Sequence, residues 1–229
     1  MPVRNGLPLR DPFHLDTPGF VFADHPTAMK DFTDEAERKR IYDREVAELI
    51  KKHSGASKVL VFDHTIRIGD EQAMKAINAR PPVKGVHNDY TETSAPRRLR
   101  EIAGDTAAER RFKKRWAIIQ AWRPIRGTVM IDPLGICDGR TIPQTGFILV
   151  QRRYKDRTGE VYHIAYNPAH EWFYFPQMKR DEAMVFKVFD TDQNVPTKFA
   201  AHSAFDDPNT PRNAPPRESI ETRTFSFWD

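Results

Sequence analysis

Residues 115–122, RWAIIQAW, mark the point where the chain changes period. Ahead of them apolar residues recur at helical spacing. From them onward apolar residues come in short runs rich in β-branched and aromatic side chains. The later runs 146–154, 160–166, 171–175, 183–190 and 219–228 read as strands, with a hairpin turn expected at Gly159 behind Arg157-Thr158. Working back from Arg115, residues 94–112 predict a helical stretch broken near Gly104, and 70–79 a short capped helix stopped by Pro81-Pro82. Residues 58–68, KVLVFDHTIRI, predict a strand. The most regular helix begins at Thr33 as cap, with Asp34, Glu35 and Glu37 in its first turn. Tyr42, Val46, Leu49, Ile50 and His53 follow at helical spacing, and Lys51, Lys52 and Gly55 close it. Residues 1–32, punctuated by Pro2, Pro8, Pro12, Pro18 and Pro26, predict an extended arm. Helices first and many short strands afterwards argue an α+β fold in one unit, 1–229. Residues 33–114 would be mainly helical, and 115–229 would form an antiparallel sandwich or barrel.

Composition narrows the function classes. The 229 residues carry 36 Lys and Arg against 32 Asp and Glu, a net charge of only +4, and 39% hydrophobic with 11% aromatic content excludes a disordered chain. No apolar run approaches the ~18 residues of a membrane helix, so no membrane partner is expected. Cys137 stands alone, which excludes an internal disulfide framework or thiolate metal cage. With no apolar leader at Met1-Pro2-Val3-Arg4-Asn5-Gly6, the expected location is cytoplasmic. Residues 93–115 concentrate eight Lys and Arg against three acids, but solvated helix faces produce such runs, and no nucleic-acid partner is expected.

Among eight histidines, His87-Asn88-Asp89 is notable, because residues i and i+2 of an extended segment project to one face and can reach one metal ion. His14-Leu15-Asp16 has the same spacing but lies in the Pro-rich arm, whereas His87 follows Val83 and Val86 and leads into Tyr90 and a helix, the place of a strand end at a sheet rim, and so of a first metal-ligand strand within the mainly helical 33–114. A third ligand would complete two imidazoles and a carboxylate, a set that on Fe(II) leaves positions open for a bidentate cosubstrate and dioxygen. His163, His170 and His202 compete for that place. His202 is favoured by the strand that follows it, on which Arg217, Ser219, Glu221 and Arg223 share a face. An arginine there offers a donor fork suited to a dicarboxylate. His163 and the aromatic run Trp172-Phe173-Tyr174-Phe175 otherwise read as ordinary packing, as does Cys137, and Asp206-Asp207-Pro208 as a turn.

Further segments join these: Val86-His87-Asn88-Asp89-Tyr90, Trp122-Arg123-Pro124, Pro133-Leu134-Gly135-Ile136-Cys137-Asp138, Trp172-Phe173-Tyr174-Phe175-Pro176 and Phe186-Lys187-Val188-Phe189-Asp190. His202-Ser203-Ala204-Phe205-Asp206-Asp207-Pro208 and Pro216-Arg217-Glu218-Ser219-Ile220-Glu221-Thr222-Arg223 complete the set. Together they resemble the Fe(II)/2-oxoglutarate oxygenases, more narrowly their gibberellin-desaturase-like, cephalosporin 7-alpha-methoxylase-like hydroxylases and desaturases. The resemblance implies a double-stranded β-helix (jelly-roll, cupin-like) core with flanking N-terminal helices. It implies His87, Asp89 and His202 as catalytic iron ligands, with 2-oxoglutarate and O2 as cosubstrates. The pair Arg217-x-Ser219 would grip the distal carboxylate of 2-oxoglutarate, with Arg223 as rival and the other arginine pairing with Glu218 or Glu221. Gln120 would face the metal as a cosubstrate contact. Tyr90, Arg123 and Trp172 would line the substrate pocket, a cationic Arg123 suiting a carboxylate-bearing small molecule such as an amino acid. The expected reaction is hydroxylation, desaturation or oxidative cyclisation at an unactivated C–H bond in secondary metabolism, and a homo-oligomer stays open. The alternatives are an iron oxygenase that does not use 2-oxoglutarate and a degenerate jelly-roll binding protein. The chain departs from the family at its start, where it is short and is expected to lack an initial β-rich segment, so that part of a substrate lid would be missing or supplied by a partner subunit.

Overall fold

The computed structural model describes residues 1–153 and 158–228. Strands β1 (Val3–Asn5) and β2 (Phe20–Asp24) come first. A helical run follows, made of α1 (Glu35–Glu37), a π turn (Arg38–Tyr42) and α2 (Asp43–Ser54). Then come β3 (Lys58–Ile68), α3 (Glu71–Ala76), β4 (His87–Asn88), α4 (Ser94–Ala103) and α5 (Asp105–Arg111). The strands after them are β5 (Trp116–Arg126), β6 (Leu134–Cys137), β7 (Phe147–Arg153), β8 (Thr158–Ile164), β9 (Trp172–Tyr174), β10 (Glu182–Asp190), β11 (His202–Ala204) and β12 (Glu218–Phe227), with two 3-10 turns, Gly139–Thr141 and Gln144–Gly146, between β6 and β7. One sheet runs β1-β9-β6-β11-β4-β8-β7 and the other β2-β10-β5-β12-β3. All the pairings are antiparallel except β1 with β9. Two facing antiparallel sheets are the jelly-roll architecture expected.

The run RWAIIQAW lacks strict alternation because β5 is buried on both faces, the pattern of a strand covered above and below. Its inward residues Ile118 and Trp122 join Phe20, Phe22, Met184, Phe186 and Phe225 of the same sheet against Leu134, Ile136 and Phe173 of the other. Its outward residues Ala117, Ile119 and Ala121 pack beneath Val46, Leu49 and Ile50 of α2. That helix is why the outer face is apolar, and it ends as expected at Gly55, whose φ of 70° is the left-handed cap glycine tolerates.

Several boundaries differ from expectation. Asp34, not Thr33, caps α1, accepting from the Glu37 amide, because Thr33 spends its hydroxyl on Asp31. Helix α3 ends at Ala76 rather than Ala79, since Asn78 takes φ 52° before the prolines are reached. Gly159 sits inside β8 opposite Arg152; the β7–β8 hairpin exists, and the connection at 154–157 lies outside the described residues. The arm is not merely extended, because β2 pairs with β10 along its whole length and β1 adds an edge strand to the other sheet. The arm thus carries β structure of its own. Entry into β2 requires Gly19, at φ 93°, where a Cβ would stand 2.6 Å from Thr197 Cγ2. The arm is also tied by charge. Arg115 Nη2 donates to Asp16 Oδ1 and Asp190 Oδ2, both at 2.8 Å, and Lys187 Nζ pairs with Asp190 at 2.7 Å. This leaves Asp16 of the His14-x-Asp16 pair engaged with Arg115 and Lys187. Among the described residues no helix is long and apolar enough to cross a membrane.

Candidate active site

Strand β4 is two residues long, and its pairing with β11 sets His87 directly across from His202. Asp89 follows two residues after His87, so the extended chain returns its carboxylate to the same side. The ligating atoms of His87, Asp89 and His202 all lie within 4.8 Å of one another. Of the three competing histidines, only His202 joins the cluster; His163 is exposed on β8, and His170 is buried ahead of β9.

Each member is oriented by its surroundings. His87 Nδ1 lies 2.7 Å from the Gly85 carbonyl, to which it donates, leaving Nε2 as the acceptor nitrogen, 3.5 Å from Asp89 Oδ1. Asp89 Oδ2 accepts from Gln120 Nε2 at 2.6 Å and from Arg223 Nη2 at 3.0 Å, which frees Oδ1 to face the imidazoles. Burial works to raise the Asp89 carboxyl, but the Arg223 charge, reinforced by His87 and His202, holds it well below the usual carboxylate range. Burial, together with the charge of His87, pushes His202 down to about 3, so its ring is neutral. Both His202 nitrogens are buried without a hydrogen-bond partner among the described residues. A buried imidazole with two orphaned nitrogens is costly unless something binds it. Two neutral-capable imidazoles and one carboxylate are the donor set that suits non-haem Fe(II). The residues therefore fit the ion.

The inward face of the β3–β12 pair continues the site. Register sets Asp63 opposite Arg223, Thr65 opposite Glu221 and Arg67 opposite Ser219, with Gln120 of β5 on the other side of Arg223. Arg223 is saturated: its guanidinium donates to Asp89, to Asp63 Oδ2 at 2.8 Å, to Thr65 Oγ1 at 2.9 Å and to Glu221. Among the described residues Arg217 instead donates only to the Asp132 carbonyl, lies over the Trp122 ring at 5.4 Å, and keeps a buried Nε without a partner. It borders a recess that also contains His87, His202 and Trp122. Beside the triad opens a cleft of about 640 Å³, lined by Asp89, Tyr90, Arg223 and residues of β3 and α4.

Two expected pocket residues lie elsewhere. Arg123 sits on the opposite face of β5 from Gln120 and Trp122, as the two-residue strand period requires. There its Nη2 donates to the His25 carbonyl at 2.7 Å, and the guanidinium stands over the Tyr42 ring at 5.5 Å. Trp172 packs with Cys137, Ile142 and Ala201 on the far side of its sheet, while its neighbour Phe173 turns inward to the main core. Burial pushes the Cys137 thiol up to about 12, consistent with inert packing. Asp63, Thr65, Arg67 and Glu221 were not singled out as site residues for the metal or cosubstrate, although polar residues at 63, 65 and 67 share one face of the strand, a signal blurred by His64 between them.

The Arg123 contact has a pH consequence. Burial first, and the Arg123 charge second, lower His25 to about 4. The folded state therefore prefers neutral His25, and stability is expected to fall as pH drops from roughly 6.5, the value in unfolded chains, toward 4. Thermal melts at several pH values across this window should show a shallower pH dependence in His25→Asn than in wild type; equal slopes would remove His25 as a source.

Comparisons with known proteins agree with this geometry. A family model described as an oxidoreductase/YMDC permease-like domain matches residues 1–227. The alpha-ketoglutarate-dependent dioxygenase phiK of a fungal species is 35% identical over 218 residues, covering 92% of this chain and 78% of the relative. The hydroxylase/desaturase CTB9 of Cercospora beticola is 34% identical, covering 95% and 72%. The solved structure of the iron and alpha-ketoglutarate-dependent endoperoxidase NvfI superposes with a TM-score of 0.90 at 30% identity, over 99% of this chain and 84% of that one. A jelly-roll with an iron-type donor triad, matched over nearly its whole length to such enzymes, belongs to the Fe(II)/2-oxoglutarate-dependent dioxygenases, enzymes that use Fe(II), 2-oxoglutarate and O2.

Proposed function

We propose that His87, Asp89 and His202 hold the iron, that Arg217 with Ser219 receives the distal carboxylate of 2-oxoglutarate, and that a small organic molecule of secondary metabolism is oxidised at a C–H bond in the cleft beside Tyr90. The observation that carries this is the division of labour between the two arginines. Arg223 is consumed by carboxylates of the protein, whereas Arg217 is buried against the triad with no carboxylate of its own. With Fe(II) in place, dioxygen would be the four-electron oxidant, taking two electrons from 2-oxoglutarate, which would leave as succinate and carbon dioxide, and two from the substrate. The protein's own part is orientation. Gly85 holds the His87 ring, Gln120 and Arg223 hold one oxygen of Asp89, and Trp122, Leu134 and Phe186 keep water from the inner side. Gln120 acts on Asp89 in this reading rather than on the cosubstrate.

A carboxylate-bearing substrate remains part of the proposal, resting not on Arg123 but on Arg80, which lines the cleft exposed and without a side-chain partner among the described residues. A cytoplasmic setting suits the buried free thiol of Cys137. The test is anaerobic titration of the metal-free protein with Fe(II) and 2-oxoglutarate, following the weak visible charge-transfer absorption of the chelate. A band that needs both additions and is lost in His87→Ala is expected. A band that appears undiminished in His87→Ala would sink the assignment of ligands, and iron binding without any response to 2-oxoglutarate would favour an iron oxygenase that dispenses with it.

A further inference from the structure

Two buried guanidiniums, not one, border the recess beside His87 and His202: Arg217 and Arg67. Arg67 comes from β3, directly across from Ser219 of β12, and two residues along the Gly69 amide donates to the Arg217 carbonyl at 2.8 Å. Arg67, Ser219 and Arg217 therefore occupy adjoining positions on one inward face. Arg67 is 9% exposed and Arg217 3%. The Arg67 side chain makes one hydrogen bond, from Nη1 to the Pro81 carbonyl at 3.1 Å, and no carboxylate pairs with it among the described residues. Ser219 Oγ and Arg217 Nε are buried without a hydrogen-bond partner among the described residues. The acid nearest in register, Glu221, is taken by Arg223.

Burying like charges side by side is unfavourable, and the protein shows the strain electrostatically: burial first, and the charge of Arg67 among the other causes, lower Arg217 to about 10. The Asp132 and Glu221 carboxylates offset part of this from a distance, but neither forms an ion pair with Arg67 or Arg217 among the described residues, and a bound anion would complete the arrangement. We propose that Arg67 is the second guanidinium of a carboxylate clamp, closing with Arg217 and Ser219 on the distal carboxylate of the dicarboxylic 2-oxo acid. This rests on the function proposed above. Because Arg67 also borders the larger cleft and holds the Pro81 carbonyl, it forms the wall between the cosubstrate recess and the substrate space.

The experiment is equilibrium titration of the anaerobic Fe(II)-loaded protein with 2-oxoglutarate and, separately, with pyruvate, a 2-oxo acid lacking the distal carboxylate. Removing one charge-assisted contact is expected to weaken 2-oxoglutarate by about tenfold to a hundredfold in Arg67→Met while pyruvate binding stays as in wild type. Arg67→Lys, which keeps the charge but not the fork, should fall between the two, and serves as the reporter if Arg67→Met does not fold. Unchanged 2-oxoglutarate affinity in a folded variant overturns the clamp, as does equal weakening of both acids, which would place Arg67's effect at the metal. Wild type that binds iron but shows no 2-oxoglutarate complex would overturn the proposed function itself, a different result from either.

Discussion

Asp89→Ala is expected to abolish tight Fe(II) binding and to lower turnover by well over a hundredfold, while leaving the fold intact. Replacing a residue that merely supports a ligand typically costs about 10- to 100-fold in metal affinity or activity. Losing the sole carboxylate ligand should exceed the upper figure. The fold should survive because Arg223, the cation facing Asp89, keeps Glu221, Asp63 and Thr65 as partners. Gln120 alone would lose its side-chain acceptor. Metal content after anaerobic reconstitution, read beside circular dichroism and a thermal melt, checks this. A folded Asp89→Ala protein that retains stoichiometric iron would remove Asp89 from the ligand set.

The sheets were legible from the sequence where strands are long and covered. Residues 58–68, 115–122, 183–190 and 219–228 sit within or nearly on β3, β5, β10 and β12, because each is long enough for β-branched and aromatic enrichment to stand out. The strands that were missed are short: β1, β6 and β11 have three or four residues, too few to carry a period, and they exist because a neighbouring strand supplies their hydrogen bonds; β4, of two residues, was reached only through the ligand spacing at His87. β2 was hidden by the prolines around it, although FVFAD pairs with β10 residue for residue. Of the site, His87, Asp89 and His202 were singled out by spacing and by resemblance, and the structure gathers them. Arg123 and Trp172 were misplaced although parity alone would have excluded Arg123: with Gln120 inward, a residue three positions on must face out. Arg67 was not singled out because it belongs to a strand distant in sequence from both His87 and Arg217, and only the β3–β12 register brings it to the recess.

The two arginines of β12 should fail in opposite ways. Arg223 is buried among three acids, Asp63, Glu221 and Asp89, of which Glu221 is almost fully enclosed. Arg223→Met would strand Glu221 and Asp89 in a low-dielectric interior, whereas Asp63 reaches solvent, and breaking a buried network from one side typically costs about 3–5 kcal/mol. That is a large share of the ~5–15 kcal/mol by which a domain of ordinary stability stays folded. Arg223→Met is therefore expected to unfold at much lower denaturant concentration than wild type and to bind iron poorly, since Asp89 loses the cation that fixes it. Adding Glu221→Gln to Arg223→Met should recover part of the stability by removing one stranded charge, which a purely steric account of Arg223 does not predict. Arg217→Met removes a cation that forms no ion pair among the described residues and feels Asp132 and Glu221 only from a distance, so it should leave chemical denaturation nearer the wild-type curve than Arg223→Met does, while weakening 2-oxoglutarate binding. Denaturation curves for the three variants and wild type, with 2-oxoglutarate titrations of those that fold, separate these outcomes. A stable Arg223→Met beside a collapsed Arg217→Met would reverse the roles assigned to the pair.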